Sequence, residues 1–249
     1  MQTISTLFLQ AAQFHIIVLI LLIGLYFVDR KKFLKVLAFT LTSGVVNVCL
    51  KYTFKIPLKA HLAKDWYAFP SGHAQFSATF YGSIVTFFKN PLITTIGTIL
   101  ILGISWALVD HNYHDWIDVI VAVIVAIGLI GIFDWVEGHL FNQNLMLFVL
   151  VATFSTFIIS TVFPVMGSHT WMSQGCLIGL STTTLLEKFF GFKGFNPVID
   201  FLIALGGIFA IIGVFAKFGS STYMSMMTKY ALITLWGTYS PHIFANLRR

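Results

Sequence analysis

Three short stretches of this 249-residue chain concentrate side chains that can bind anions, move protons or attack an electrophile. The first is Phe69-Pro70-Ser71-Gly72-His73. Pro suits the first turn of a helix and Ser is a favoured N-cap, so the stretch reads as a helix start. Unpaired N–H groups and the positive end of the macrodipole make such a start a good phosphate site. His73, just inside, can face the same anion. A capped helix with an interfacial histidine fits the same residues, and on this stretch alone the two readings stand level.

The second stretch runs from Asp110 through His111, Asn112, Tyr113, His114 and Asp115 to Asp118, and leads into the apolar run Val119–Val125. His114 and Asp118 are four apart, so they share one helical face. A carboxylate beside an imidazole fixes its tautomer and raises its basicity, which suits a nucleophile or a base. Asp118 also enters apolar surroundings, where a lone carboxylate is expensive unless paired. That cost weighs against a polar turn whose His and Asp merely snorkel. The third stretch, Lys51-Tyr-Thr-Phe-Lys-Ile-Pro-Leu-Lys59, clusters ammonium groups that can hold a phosphate dianion. It can equally bind anionic lipid head groups, and the two uses do not exclude each other.

Long apolar runs must position these residues. The chain is 57% hydrophobic and only 10% charged, with a mean hydropathy of +0.88. A soluble domain carries about 25% charged residues, so an ordinary cytosolic enzyme is excluded, and the apolar content excludes disorder. The expectation is one all-α, polytopic transmembrane bundle over residues 1–249. Spans fall near Leu7–Val28, Phe33–Leu50, Ser71–Phe88, Leu92–Val109 and Trp116–Phe133. Others fall near Leu145–Phe163, Thr170–Leu186, Val198–Ala216 and Tyr223–Thr238, about nine in all at ~20 residues each. Cys49 and Cys176 both lie in apolar stretches, so neither a disulfide framework nor a metal site is expected. The N-terminus lacks a basic n-region, and no cleaved signal peptide is expected.

The basic residues behind the net charge of +6 are scattered through turns, so they read as topology determinants and not as a nucleic-acid patch. Arg30, Lys31, Lys32, Lys35, Lys89, Lys188, Lys193, Arg248 and Arg249 fall on one side. Lys51, Lys55, Lys59, Lys64 and Lys217 fall on the other. The richer side should be cytoplasmic, with the N-terminus outside. Four of the five opposing lysines sit in the loop Lys51–Pro70, which invites a functional explanation. That loop and Asp110–Asp115 share the non-cytoplasmic face.

Taken in order, the three stretches resemble the type 2 phosphatidic acid phosphatase (PAP2) superfamily of integral membrane lipid phosphatases. Its pattern is Lys-x6-Arg-Pro, then Pro-Ser-Gly-His, then Ser-Arg-x5-His-x3-Asp. Pro70-Ser71-Gly72-His73 matches completely, His114-x3-Asp118 matches with its following helix, and Lys51 matches the opening lysine. The motif-bearing core spans about residues 51–126. The Arg-Pro positions hold Leu58 and Lys59, and the Ser-Arg positions hold Ala107 and Leu108. Both arginines that clamp phosphate in the family are absent, and Lys cannot reproduce their bidentate fork.

The resemblance implies hydrolysis of a phosphomonoester or diphosphate lipid at the non-cytoplasmic face, without metal or cofactor. His114 would attack phosphorus with Asp118 orienting it, and His73 would protonate the leaving oxygen and then activate water. Lys51, Ser71 and Gly72 would hold the non-bridging oxygens, helped by Lys55, Lys59 or His111. The implied partners are the lipid phosphate and the surrounding membrane lipids, with no nucleic acid. The membrane would be the inner or plasma membrane in a bacterium and the endoplasmic reticulum in a eukaryote. Two alternatives stay open. One is a phosphotransferase passing a head-group phosphate to another acceptor, an arrangement similar to that of sphingomyelin synthases. The other is a lipid-phosphate transporter or scaffold on a decayed fold, against which the retained His73, His114 and Asp118 argue. Elsewhere, His15, His139, His169 and His242 read as interfacial or structural, Asp134 and Glu137 as solvating a cytoplasmic turn. Trp66, Tyr67, Tyr113 and Trp116 fit an aromatic belt.

Overall fold

The computed structural model describes residues 2–62, 66–162, 168–194, 196–219 and 221–247. Lys64, Phe163, Arg248 and Arg249 lie outside the described residues. The elements are α1 (Gln2–Ala11), α2 (Phe14–Ile23, continuing as a π-turn over Gly24–Val28), α3 (Arg30–Phe54), α4 (Gly72–Phe88) and α5 (Pro91–Asp110). They continue as α6 (Trp116–Trp135, then a π-turn over Val136–Leu140), α7 (Leu145–Val162), α8 (Ser168–Phe190), α9 (Pro197–Phe218) and α10 (Tyr223–Leu247). No β-strand occurs among the described residues, so the protein is all-α as expected.

Helix ends follow the local chemistry. Asn90 accepts from the N–H groups of Leu92 and Ile93 ahead of Pro91, and Asn196 caps α9 ahead of Pro197 in the same way. Pro in the first turn loses no intrahelical bond. Lys89 closes α4 in the left-handed region at φ 48°. The span expected over Leu7–Val28 is instead broken. Its two halves are bent by 56°, with short-range bonds from Ala12 N–H to Leu9 and from Gln13 N–H to Gln10. Those tighter turns end α1 where the apolar run continues, so hydropathy alone does not reveal the break.

Among the described residues, five helices are long and apolar enough to cross a membrane, or six if the bent pair counts as one span. This compares with the nine read from apolar runs. The difference lies in α4, α8 and α10. Helix α4 is 17 residues long. Helix α8 carries buried Thr170, Gln174, Ser181, Thr183 and Thr184, and α10 buries Thr234, Thr238, Ser240 and His242.

The chain divides into two compact units, residues 1–19 with 43–136, and residues 20–42 with 137–249. In the first, α1 packs on α5 through an edge-on Phe8–Trp106 contact at 6.4 Å, and the Tyr81 hydroxyl donates to Ala11 O at 2.7 Å. In the second, Arg30 forms an ion pair with Glu187 and its guanidinium lies 3.6 Å from the centre of the Phe192 ring. Glu137 corrects the solvated-turn expectation. It is 4% exposed and takes the Lys35 ammonium at 2.9 Å, because a carboxylate among apolar helices needs a partner.

Helices α8 and α10 pair through small residues. A Cβ at Gly175 would lie 2.3 Å from Met227 O, and one at Gly179 would lie 2.3 Å from Ala231 O. Gly-x-x-x-Gly spacing lets two backbones approach this closely. Gly179→Ala should therefore destabilise the protein by about 1–3 kcal/mol, since a backbone carbonyl cannot rotate aside. Gly213→Ala, where nothing lies within 4 Å, should leave stability unchanged or slightly raised. Thermal unfolding of both variants in detergent checks the contrast.

Candidate active site

The site is built where α4 and α6 begin, inside the first unit. Ser71 caps α4, its Oγ accepting from Ala74 N–H at 3.4 Å, and the side chain is fully buried. Ser71 N–H in turn donates to Asp118 O at 3.0 Å. One backbone hydrogen bond thus sets the Pro-Ser-Gly-His stretch against the His-x3-Asp stretch. Two helix N-termini, each with unpaired N–H groups and a positive partial charge, then lie side by side.

Asp118 is 5% exposed and His114 is 7% exposed. Asp118 Oδ2 accepts from His114 Nδ1 at 3.2 Å and from Asp115 N–H at 3.2 Å. The carboxylate therefore caps its own helix while orienting the imidazole. With Nδ1 as the donor, the lone pair sits on Nε2, the tautomer a nucleophile needs. Burial pushes the His114 imidazole below its ordinary range. Asp118 works against that shift, while the Lys51 and Lys59 ammonium groups add to it. Leu108 O accepts from the N–H groups of Tyr113 at 3.0 Å and His114 at 3.3 Å, which holds the loop that carries His114.

Lys51, on the last turn of α3, is 4% exposed, and its ammonium donates to Tyr67 O at 2.6 Å and Ala68 O at 3.0 Å. Its stem passes beside Gly72, where an added Cβ would meet Lys51 Cε at 3.7 Å and Asn47 Oδ1 at 3.2 Å. Glycine suits that position because the α3 side chains press against the helix backbone. His73 is exposed in the first turn of α4. Lys59 donates to Asn112 Oδ1 at 2.6 Å and pairs with Asp115 Oδ1 at 2.8 Å, so it straps the loop after α3 to the loop before α6.

Lys55 and His111 are placed differently from the core of the site. Lys55 is exposed just past α3 with φ 53°, and among the described residues its ammonium makes no hydrogen bond or ion pair. The His111 ring meets Ser5 Oγ at 3.1 Å and stacks on Tyr113 with centroids 5.7 Å apart. The aromatic residues after α3 close the base of its loop. Tyr52 meets Trp66 at 5.7 Å and Tyr67 at 5.5 Å, and Phe54 meets Phe69 at 5.0 Å.

A buried amide and hydroxyl ladder under the site went unread in the sequence. Asn47 Nδ2 donates to Gln75 Oε1 at 2.9 Å and to Pro70 O at 3.3 Å. Gln75 Nε2 donates to Ser43 O and Ser43 Oγ, both at 3.1 Å, and Ser43 Oγ meets Thr79 Oγ1 at 2.8 Å. The available signal was periodicity. Ser43, Asn47 and Lys51 repeat every four residues through an apolar helix, as do Gln75 and Thr79 in the next. Satisfied buried networks of this kind rigidify the elements they join.

No curated protein and no solved structure matches the chain. A family model described as PAP2 superfamily matches residues 32–142, just under half of the chain. The match is wider than the core read from the motifs and contains Lys51, Ser71, His73, His114 and Asp118. Its apolar helices fit an integral membrane protein. Residues 32–142, which hold the whole of the site, are thus similar to the PAP2 superfamily, and this match and the apolar helices support a membrane phosphatase type of fold.

Proposed function

We propose that the protein is an integral membrane enzyme that cleaves a lipid phosphate through a phosphohistidine on His114. The observation that carries this reading is the buried His114–Asp118 pair at 3.2 Å, tied by backbone to the start of α4. A buried carboxylate with a single imidazole partner suits a nucleophile whose other nitrogen is free to attack. The His114 Nε2 lone pair forms the N–P bond as the P–O bond to the leaving alcohol breaks. His73 gives that oxygen its proton. Water then attacks phosphorus, His73 takes the proton back, and the N–P bond breaks to restore His114. Gly72 N–H and Lys51 hold the non-bridging oxygens in this scheme, while Ser71 acts through the cap it forms. Each of these groups belongs to the protein, so the scheme calls on no metal.

The excess of Lys and Arg in the opposite loops supports a site on the non-cytoplasmic side. Labelling of intact cells should modify Lys59→Cys and His111→Cys but spare Lys32→Cys. Modification of position 32 alone would reverse the orientation.

On the best substrate from a panel of lipid phosphates, His114→Ala should abolish turnover. Asp118→Asn and His73→Ala should each cost about 10²–10⁴-fold in kcat, the range for an orienting or proton-transferring group. Phosphohistidine trapped by acid-free quenching should be present in His73→Ala and absent from His114→Ala. Retained turnover in His114→Ala would sink the covalent reading.

The pH profile gives a separate check. Because the native His114 pKa is lowered, the imidazole stays uncharged and nucleophilic below its ordinary titration range. The acid limb of kcat/KM should fall below about pH 6.5, the value of an unperturbed histidine. Asp118→Asn removes a group that favours the protonated imidazole, so it should move that limb further toward acid.

A further inference from the structure

The turn that carries His114 is tied down from two sides by side chains far away in the sequence. On one side Lys59 takes Asn112 Oδ1 at 2.6 Å and Asp115 Oδ1 at 2.8 Å. On the other side stands α1, which lies outside the family match that begins at residue 32. Ser5 of α1 is fully buried, and its Oγ lies 3.1 Å from His111 Nε2. The His111 ring stacks on Tyr113, with 27° between the planes. Tyr113 and His114 both donate their N–H groups to Leu108 O. A contact chain thus runs from α1 through His111 and Tyr113 to His114. The turn needs such ties, because Asn112 leaves the helical path at φ 57° and Asn112, Tyr113 and Asp115 are exposed. Exposed turns sample many backbone conformations unless side chains hold them.

Helix α1 is itself firmly seated. Phe8, one turn on from Ser5, meets Trp106 edge-on, and a Cβ added at Gly103 would lie 2.2 Å from its ring, so glycine there makes the seat. Tyr81 of α4 donates to Ala11 O at the far end of α1. Ile4 and Leu7, by contrast, are exposed. A hydroxyl buried among apolar side chains is costly unless paired, and Ser5 finds a partner in His111. We propose that Ser5 and His111 are positioning residues for the reaction, and that α1 fixes the orientation of His114 through this clasp. The proposal rests on the reading of His114 as the phosphorus nucleophile. It gives His111 a task in place of the phosphate contact expected from the sequence. In this role neither residue touches substrate. Both narrow the range of His114 orientations before phosphorus arrives, and a small misplacement of a reacting group can cost about 10²-fold in rate. Loss of the clasp should therefore lower kcat and leave KM nearly unchanged.

The test uses the full-length protein in detergent micelles that contain phosphatidic acid or, as a second probe, phosphatidylethanolamine, with turnover counted per folded molecule. Ser5→Ala removes the hydroxyl from a helix that alanine suits. His111→Phe keeps a ring to stack on Tyr113 but has no nitrogen. Each should lower kcat about tenfold on the better probe, with KM changed by less than about twofold. The double variant should be no slower than either single one, because both changes cut one contact. Hydrogen exchange of the Tyr113 and His114 amides should be several-fold faster in all of these variants. Leu7→Ala, at an exposed position of the same helix, should match wild type in every measurement. Faster exchange with unchanged kcat would make the clasp merely structural and overturn the proposal. Unchanged exchange would overturn it too. So would losses that multiply in the double variant, or a raised KM at normal kcat, the mark of a His111 that binds phosphate. Turnover that survives His114→Ala, or a wild type inactive on both probes, would overturn the nucleophile reading and this inference with it.

Discussion

Asp118 holds the site together because its Oδ2 and its backbone carbonyl accept three hydrogen bonds at once. Its carboxylate accepts from the His114 imidazole and from Asp115 N–H, and its carbonyl accepts from Ser71 N–H. A charged carboxylate at the centre of an apolar helix costs about 2.5–3.5 kcal/mol on insertion scales. Here the residue sits in the first turn of α6, where unpaired N–H groups and the macrodipole favour it. The same residue therefore starts a membrane helix, fixes the tautomer of a histidine and sets the register of the neighbouring helix. These are coupled consequences of one buried negative charge seeking donors.

The helices behind the site supply rigidity by the same rule. Within α3 and α4, Ser43, Asn47, Gln75 and Thr79 satisfy one another across apolar surroundings, and the ladder ends on the carbonyl of Pro70, next to the cap. In the second unit, Arg30 with Glu187 and Lys35 with Glu137 follow the rule with full charges. Thr156 and Gln174 follow it with neutral groups. Each unit contains polar side chains that a lipid-facing helix could not keep unpaired. This separates the buried faces of α8 and α10 from those of α9, whose surface is largely exposed apolar side chains.

The site is also economical in charge. A phosphate clamp made of arginines would supply fixed positive charge in bidentate forks. This chain supplies helix termini, one buried ammonium and a second ammonium already shared with a carboxylate. Under the proposed function, such a site would hold an anion by directed N–H groups more than by net charge. Geometry of the helix starts, and hence the Ser71–Asp118 bond, would then carry a correspondingly larger share of the work.

Much of this was legible in the order of residues. Apolar runs located α3 through α9 and the start of α10 to within four positions, because a membrane helix needs a continuous stretch that water would reject, whereas α10 runs on past Thr238 to Leu247. Pro70 to His73 and His114 to Asp118 announced themselves, since few other arrangements place Ser, His and Asp at helix starts with that spacing. Other features were set only in three dimensions. The bend at Ala12 and Gln13 depends on local bonds that hydropathy does not register. The pairing of Lys59 with Asp115, and of Glu137 with Lys35, joins residues 56 and 102 positions apart, and no local pattern links them. The family arginine position could be read as leucine from the sequence. That Leu108 is sealed inside α5 and contributes its carbonyl to the loop before His114 followed only from packing. Residue type and spacing determined which groups are present. Burial and long-range pairing decided which of them keep a free charge, because the field of an ion depends on the partners that folding places beside it.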